Sequence, residues 1–322
     1  MGTYNVIVTC RNSEKSIEST LNSLINQSIK PEYIIVVDDG STDNTNNILK
    51  DIQSKYENLY IITNPDLGYN IGRVVYNWNK ALKFAKKLKL KSTDYHMIAP
   101  DDAEYEENYC QKIIRQMDSN PSIVIASGNY DINEYTMPRG AGRLIRNSFF
   151  FSFFSYYPEK MGYETIIFYS ALQNNFKYKV IPEARFVHKR TLGSNHHFYE
   201  FGASMRTLGY HPLFALGRFF KYFSSGKPIG RVGSLYMLYH YLSYRPKEKG
   251  YDSMFDADIR KNIRRIQTKR IMHKIGINKI WLTIRYDKYD SSLHKRAISN
   301  LTVKVTILHT VLHLFKKYVY NK

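Results

Sequence analysis

In the stretch IIVVDDGSTDNT, residues 34–45, four apolar residues run directly into Asp38 and Asp39, then Gly40 and a group of small polar side chains. Consecutive β-branched residues suit a strand covered on both faces, as in a parallel sheet. Charge is costly to place at the end of such a strand, yet the carboxyl ends of strands are where open α/β sheets bind ligands. Thr42 or Asp43 suits the cap of a helix over residues 44–54. A turn and a cap call for one aspartate, so two before Gly40 point to a ligand. The same ending recurs further on: YHMIA, residues 95–99, continues through Pro100 into Asp101 and Asp102.

Strands are expected over residues 3–10, 33–37, 58–63, 95–99 and 122–128. Helical spacing joins Ile17, Leu21, Leu24 and Ile25, and an amphipathic helix with lysines on its wet face is expected over 78–88. Strands alternating with helices imply an α/β fold with a doubly wound, mostly parallel sheet. In such a sheet Asp38, Asp39, Asp101 and Asp102 leave on one side and face one crevice. A bare carboxylate cluster repels itself; a hard divalent cation, Mg²⁺ or Mn²⁺, relieves that repulsion and completes its shell with phosphate oxygens and water. The implied ligand is a nucleoside diphosphate, with the remaining aspartate accepting hydrogen bonds from a base or ribose. A nicotinamide dehydrogenase is disfavoured, because no Gly-x-Gly-x-x-Gly follows the first strand.

The 322 residues are enough for one or two domains. Two cysteines, Cys10 and Cys110, make no disulfide framework and fit a reducing compartment. The first residues lack the pattern of a signal peptide, and no apolar run approaches the ~20 residues of a membrane span. Charge is divided unevenly: residues 1–200 hold 23 Lys+Arg against 22 Asp+Glu, whereas residues 201–322 hold 24 against 6. Such different electrostatics point to different jobs for the two parts.

The segment YNVIVTCRNSEKSIESTLNSLINQSIKPEYIIVVDDGSTDNT resembles the opening of the family-two glycosyltransferases of GT-A fold, and the resemblance extends to about residue 190. It implies a mixed, mostly parallel sheet with helices on both faces over residues 1–195, and an inverting transfer of a sugar from a nucleotide-diphosphate donor, UDP- or GDP-linked, to a hydroxyl acceptor. Thr9, Cys10, Arg11 and Asn12 occupy the family's turn after the first strand. The resemblance places Thr9 and Asp39 on the base, with Arg11, Asn12 and Asp38 on the donor side. Asn70 and Gly72 resemble its Asn-x-Gly element, and Arg73 falls on the diphosphate side. The family's Asp-x-Asp element aligns with Pro100–Asp102 through the following Glu107-Asn108-Tyr109. Pro100 takes the first acidic position and Asp102 the metal-binding one, while Asp101 lies near the ribose or shares the metal. Residues 162–190 resemble the family's Glu-Asp segment, with Pro182, Ala184 and His188 in register. There Tyr163 replaces the Glu, and Glu164 takes the place of the Asp that acts as general base. His188 fits a further metal ligand, a phosphate contact or a purely structural residue. Arg139 and Arg143, in PRGAGRLIR, read as a mobile basic loop suited either to closing over a phosphate or acidic acceptor or to plain solvation. No Gln-x-x-Arg-Trp follows, so a non-processive enzyme is implied.

The remainder, residues 196–322, reads as a basic, aromatic-rich helical region. One role for it is a platform on an anionic membrane surface, which fits a lipid-linked or glycan acceptor and a cytoplasmic enzyme held at the inner face of the cell membrane. Another is a helical subdomain whose aromatics form its own core or a homodimer interface. Nucleic-acid binding is disfavoured for want of a recognised motif. The rival from another class is a non-catalytic sugar-nucleotide-binding protein, suggested by Pro100 and Tyr163 at acidic positions.

Overall fold

The computed structural model describes residues 1–130, 137–138, 140–189 and 198–274. Strand β1 (Tyr4–Cys10) is followed by helix α1 (Ile17–Ile25), β2 (Ile34–Asp38), α2 (Thr45–Lys55), β3 (Leu59–Thr63), α3 (Arg73–Lys87) and β4 (Tyr95–Pro100). These four strands are mutually parallel, ordered β3-β2-β1-β4. Next come β5 (Ala103–Tyr105), α4 (Tyr109–Ser119), β6 (Ile123–Tyr130), β7 (Arg143–Arg146), α5 (Asn147–Phe153), α6 (Tyr163–Gln173) and β8 (Lys177–His188). They extend the sheet to β3-β2-β1-β4-β7-β6-β8-β5, with β7 antiparallel to both neighbours and β5 antiparallel to β8. The sheet is therefore mixed and mostly parallel, as expected.

The period-2 alternation of the strands divides the core in two. Val6, Val8, Ile34, Val36, Met97 and Ala99 face one side, where they pack with residues of α1, α2 and α4. Ile7, Ile35, Val37 and Ile98 face the other, packing with α3, α5 and α6. In α3, Val75, Trp78 and Ala81 are buried while Lys80, Lys83, Lys86 and Lys87 stay exposed. The helix starts five residues earlier than its lysine-faced stretch suggested, at Arg73 after the N-cap Gly72, and the polar residues Asn77 and Asn79 are also buried. Asn79 exchanges hydrogen bonds with the Tyr157 backbone, at 2.9 and 2.8 Å.

One expectation is overturned. PRGAGRLIR is not a free loop around Arg143: residues 143–146 form β7, inserted between β4 and β6. Leu144 and Ile145 are the only apolar pair in a segment flanked by arginines, too short for a periodic signal. Tertiary pairing on both edges makes the strand.

Helices α7 (Tyr199–Thr207), α8 (Pro212–Ser225), α9 (Gly230–Ser243) and α10 (Ala257–Lys274) follow. Met205, Leu208, Met237, Tyr241 and Ile263 belong to the same buried cluster as Ile7 and Val37, and residues 1–268 form one compact unit. The domain boundary expected after residue 195 falls outside the described residues. None of the described helices is long and apolar enough to cross a membrane.

Close approach of β6 and β8 depends on Gly128, where an added Cβ would strike the Ala184 carbonyl and the Tyr109 ring. Tyr109 sits at the junction: its hydroxyl donates to the Gly142 carbonyl (2.7 Å) and accepts from the Gly128 amide (2.9 Å). Replacing Gly128 by Ala is expected to lower the unfolding free energy by about 1–3 kcal/mol, as overpacking does. Urea denaturation checks this, and an unchanged midpoint would refute it.

Candidate functional site

Strand register sets the site. Cys10 pairs with Asp38 and Thr9 with Pro100, so Asp38-Asp39 and Asp101-Asp102 leave the sheet at the same carboxyl edge. Half-buried Thr9, next to last in β1, lies between them. The Cys10 thiol records this convergence: burial first, then the charges of Asp101, Asp38, Asp43 and Asp39, push its pKa well above the ordinary value.

The two aspartates after β2 divide their tasks. Asp38 is fully buried, and its Oδ1 accepts from the Ser41 amide and hydroxyl at 2.9 and 2.6 Å. This closes the turn at Gly40, whose φ of +75° and close approach to the Pro65 carbonyl, 2.6 Å from where a Cβ would lie, admit only glycine comfortably. Asp38, expected on the donor side, thus shapes the turn at the mouth. Asp39 points elsewhere: Arg73 Nε donates to both its oxygens, at 3.1 and 2.9 Å, and Asn64 Nδ2 donates at 3.2 Å.

Arg11 crosses from the end of β1 to donate to the Asp39 and Gly40 carbonyls, at 2.5 and 2.9 Å, and to the Asp66 carboxylate at 2.6 Å. Asn12, in the left-handed region with φ 49°, accepts from the Thr42 amide at 2.8 Å. Asn70 Oδ1 accepts from the Gly72 amide at 2.9 Å and so shapes the start of α3. These residues, read from the sequence as donor contacts, build the walls of the mouth. Asp39 and Arg73 are its charged floor.

Asp101 and Asp102 diverge. Asp101 accepts from the Ser13 hydroxyl and, at 3.4 Å, from the Arg11 amide. Asp102 Oδ2 lies 3.1 Å from His188 Nδ1. The β5–β8 ladder places His188 opposite Ala103, and the Lys189 amide donates to the Asp102 carbonyl at 2.9 Å. The expected ligand trio Asp101, Asp102 and His188 is therefore not assembled: among the described residues no group of three or more His, Cys, Asp or Glu could hold an ion. One carboxylate beside one imidazole does fit a cation that draws the rest of its shell from phosphate and water.

A third group lies beside β4. The Gly142 amide donates to the Ile98 carbonyl at 2.9 Å, which brings the turn before β7 to the carboxyl end of that strand. Glu164, in the first turn of α6, meets this turn; a Cβ on Gly140 would lie 2.7 Å from its Oε1. Arg143 Nη2 lies 3.4 Å from the same oxygen, and the guanidinium sits 5.4 Å from the centre of the Phe168 ring. Arg143 is 1% exposed, so it is a buried counter-charge to Glu164 and not a solvent-facing arginine. Arg139 lies outside the described residues.

Sequence reasoning missed Glu200, in the first turn of α7. Burial, followed by the Glu164 charge, raises its pKa from 4.5 to about 7, against the lowering effect of the hydrogen bond from the Tyr251 hydroxyl at 2.8 Å. The Tyr251 ring in turn lies 3.1 Å from where a Gly72 Cβ would be, linking the C-terminal helices to the start of α3. The available signal was one acidic residue inside the aromatic run HHFYEF. Its raised pKa sets a sign: the stabilisation is complete below 4.5, where both folded and unfolded chains are protonated, and is lost as pH rises to about 7. Glu200→Gln should therefore melt progressively higher relative to the unchanged chain as pH rises through that window. Thermal melts below 4.5 and above 7 test this, and a constant gap would contradict it.

The profile of the family described as Glycosyl transferase family 2 matches residues 5–180, more than half of the 322-residue chain. The chain is 25% identical over 123 residues to a poly-beta-1,6-N-acetyl-D-glucosamine synthase of Staphylococcus epidermidis, covering 38% of this chain and 27% of that protein. It is 38% identical over 96 residues to a poly(ribitol-phosphate) beta-glucosyltransferase of Bacillus spizizenii, covering 28% and 15% respectively. The chain thus spans under a third of the length of these curated relatives. The fold is similar to that of the mannosyltransferase PcManGT from Pyrobaculum calidifontis, solved with GDP-Man and Mn²⁺, with a TM-score of 0.52, 12% identity and coverage of 100% of this chain and 88% of that one.

Proposed function

The chain belongs to glycosyl transferase family 2, and from that premise we propose that it is an inverting, non-processive glycosyltransferase using a nucleotide-diphosphate sugar, UDP- or GDP-linked. The observation that carries this reading is the convergence of three charged groups on one sheet edge: Asp39 with Arg73, Asp102 with His188, and Glu164 with Arg143. The relatives' names are consistent with sugar transfer, and the GDP-Man and Mn²⁺ in the mannosyltransferase with a nucleotide-sugar donor and a divalent cation.

Each pair has a task in such a transfer. Asp39, held from below by Arg73 and Asn64, presents carboxylate oxygen to the N–H edge of a base. Thr9, next to last in β1, is the second base contact. Asp102 and His188 are the residues that would hold Mg²⁺ or Mn²⁺, and the cation would supply charge neutralisation to the departing diphosphate. Glu164 takes the proton of the acceptor hydroxyl, a poor nucleophile until that proton leaves in the transition state. Its carboxylate is 37% exposed, so an acceptor reaches it, while buried Arg143 holds it in place from behind. One displacement inverts the anomeric centre, and one base suffices. The acceptor is a glycan or a lipid-linked sugar, and the enzyme works at the inner face of the cell membrane, as a monomer or a homodimer.

One observation favours a second reading: Pro100 and Tyr163 stand where the family carries acidic residues, as in a chain that binds sugar nucleotides without turning them over. Turnover of UDP- and GDP-sugars with Mn²⁺ separates the two, since a chain that binds nucleotide but releases none supports only the second. Glu164→Gln is expected to cut transfer by about 10²–10⁴-fold, the contribution of a positioned general base, with nucleotide binding unchanged. Asp102→Asn should weaken nucleotide binding in the presence of Mn²⁺ as well as abolish transfer. Full activity in Glu164→Gln would remove that residue from the mechanism.

A further inference from the structure

Helices α8 and α9 pack against each other and against the main core, yet each carries an apolar stripe on its outer side. On α8, Leu213, Leu216, Phe220 and Phe223 recur at spacings of three and four and are 38–50% exposed. On α9, Val232, Leu235, Tyr239 and Leu242 recur every three or four residues and are 50–68% exposed. These side chains lie opposite the buried rows, Ala215 on α8 and Gly233, Met237 and Tyr241 on α9. Helical periodicity thus gives each helix two apolar faces, one in the core and one in solvent. A cluster of large apolar side chains of this kind marks an interaction surface.

Charge identifies the partner. Residues 212–243 contain Arg218, Lys221, Lys227 and Arg231 and no Asp or Glu at all. Lys221, Lys227 and Arg231 are exposed; just beyond α9, Arg245 and Lys249 are exposed as well, beside Glu248 and a Lys247 that pairs with Asp252 at 3.1 Å. Aromatic and aliphatic side chains bordered by cations match the layered chemistry of a bilayer interface, with acyl boundary inside and anionic headgroups outside. A protein partner would need an acidic rim around an apolar centre; an anionic lipid surface offers both over any area.

We propose that the α8–α9 hairpin is the membrane-docking surface of this protein, seating its outer apolar stripes in an anionic lipid interface. This rests on the reading above for a membrane-side acceptor, but lipid binding requires no turnover, so the two can fail separately. The test is co-sedimentation of the full chain with vesicles of phosphatidylglycerol mixed equally with phosphatidylcholine, against vesicles of phosphatidylcholine alone. Binding is expected to the first, and at least tenfold weaker binding to the second. Leu235→Glu with Leu242→Glu should lower association with the anionic vesicles at least tenfold, and Lys221→Gln with Arg231→Gln should do the same and flatten its salt dependence. Both variants change exposed positions and should bind nucleotide as the unchanged chain does, which serves as the check on folding. Anionic-vesicle binding untouched by these substitutions would overturn the proposal. So would a concentration-dependent dimer that the same substitutions dissolve, since the stripes would then be covered by a second copy.

Discussion

The parallel pairing of β1 with β2 on one side and β4 on the other is the constraint on which the rest depends. It sets Cys10 beside Asp38 and Thr9 beside Pro100, and thereby brings carboxylates some sixty residues apart in sequence to one edge. The register has little freedom. A slip by one residue would turn Ile7, Ile35 and Val37 from one core to the other and expose neither face to a matching partner. Burial on both faces therefore aligns the strands, and the alignment in turn places the acids.

What keeps the acids there is pairing. Asp39 is held by Arg73, Asp102 lies against His188, and Glu164 faces Arg143. Each partner comes from an element distant in sequence: the start of α3, the end of β8 and β7. A carboxylate at a sheet edge with a partner behind it is held in one orientation, whereas a bare cluster would repel itself. Arg143 is the extreme case. Its charge is buried, and the nearby Glu164 carboxylate and Phe168 ring are what make that burial tolerable.

The C-terminal helices are part of the same arrangement. Through Met205, Met237 and Tyr241 they share the core beneath the sheet, and through Glu200 and Tyr251 they reach the first turn of α3. Their other faces look outward with leucines, phenylalanines and lysines. A region distinguished in the sequence by its charge thus does two kinds of work, completing the core on one side and presenting an apolar, basic surface on the other.

Much of this was legible in the sequence. The buried-strand runs ending in Asp-Asp, the helical spacing of Ile17 to Ile25 and the strand–helix alternation are local patterns, because burial on one or two faces imposes a period on the chain that the chain must carry in its text. The sheet type, the doubly wound layout and the facing of Asp39 and Asp102 follow from those periods. The roles within the pairs do not. Asp38 closes its turn through Ser41, three residues on, but that Asp39 faces Arg73, that Asp101 turns to Ser13 while Asp102 meets His188, and that Arg143 is a buried strand residue are decided by contacts between segments far apart in sequence. So is the closeness of Glu200 to Glu164. Periodicity reports which face of an element is buried; only the packed chain decides which neighbour a side chain finds there, because that depends on the positions of all the other elements at once.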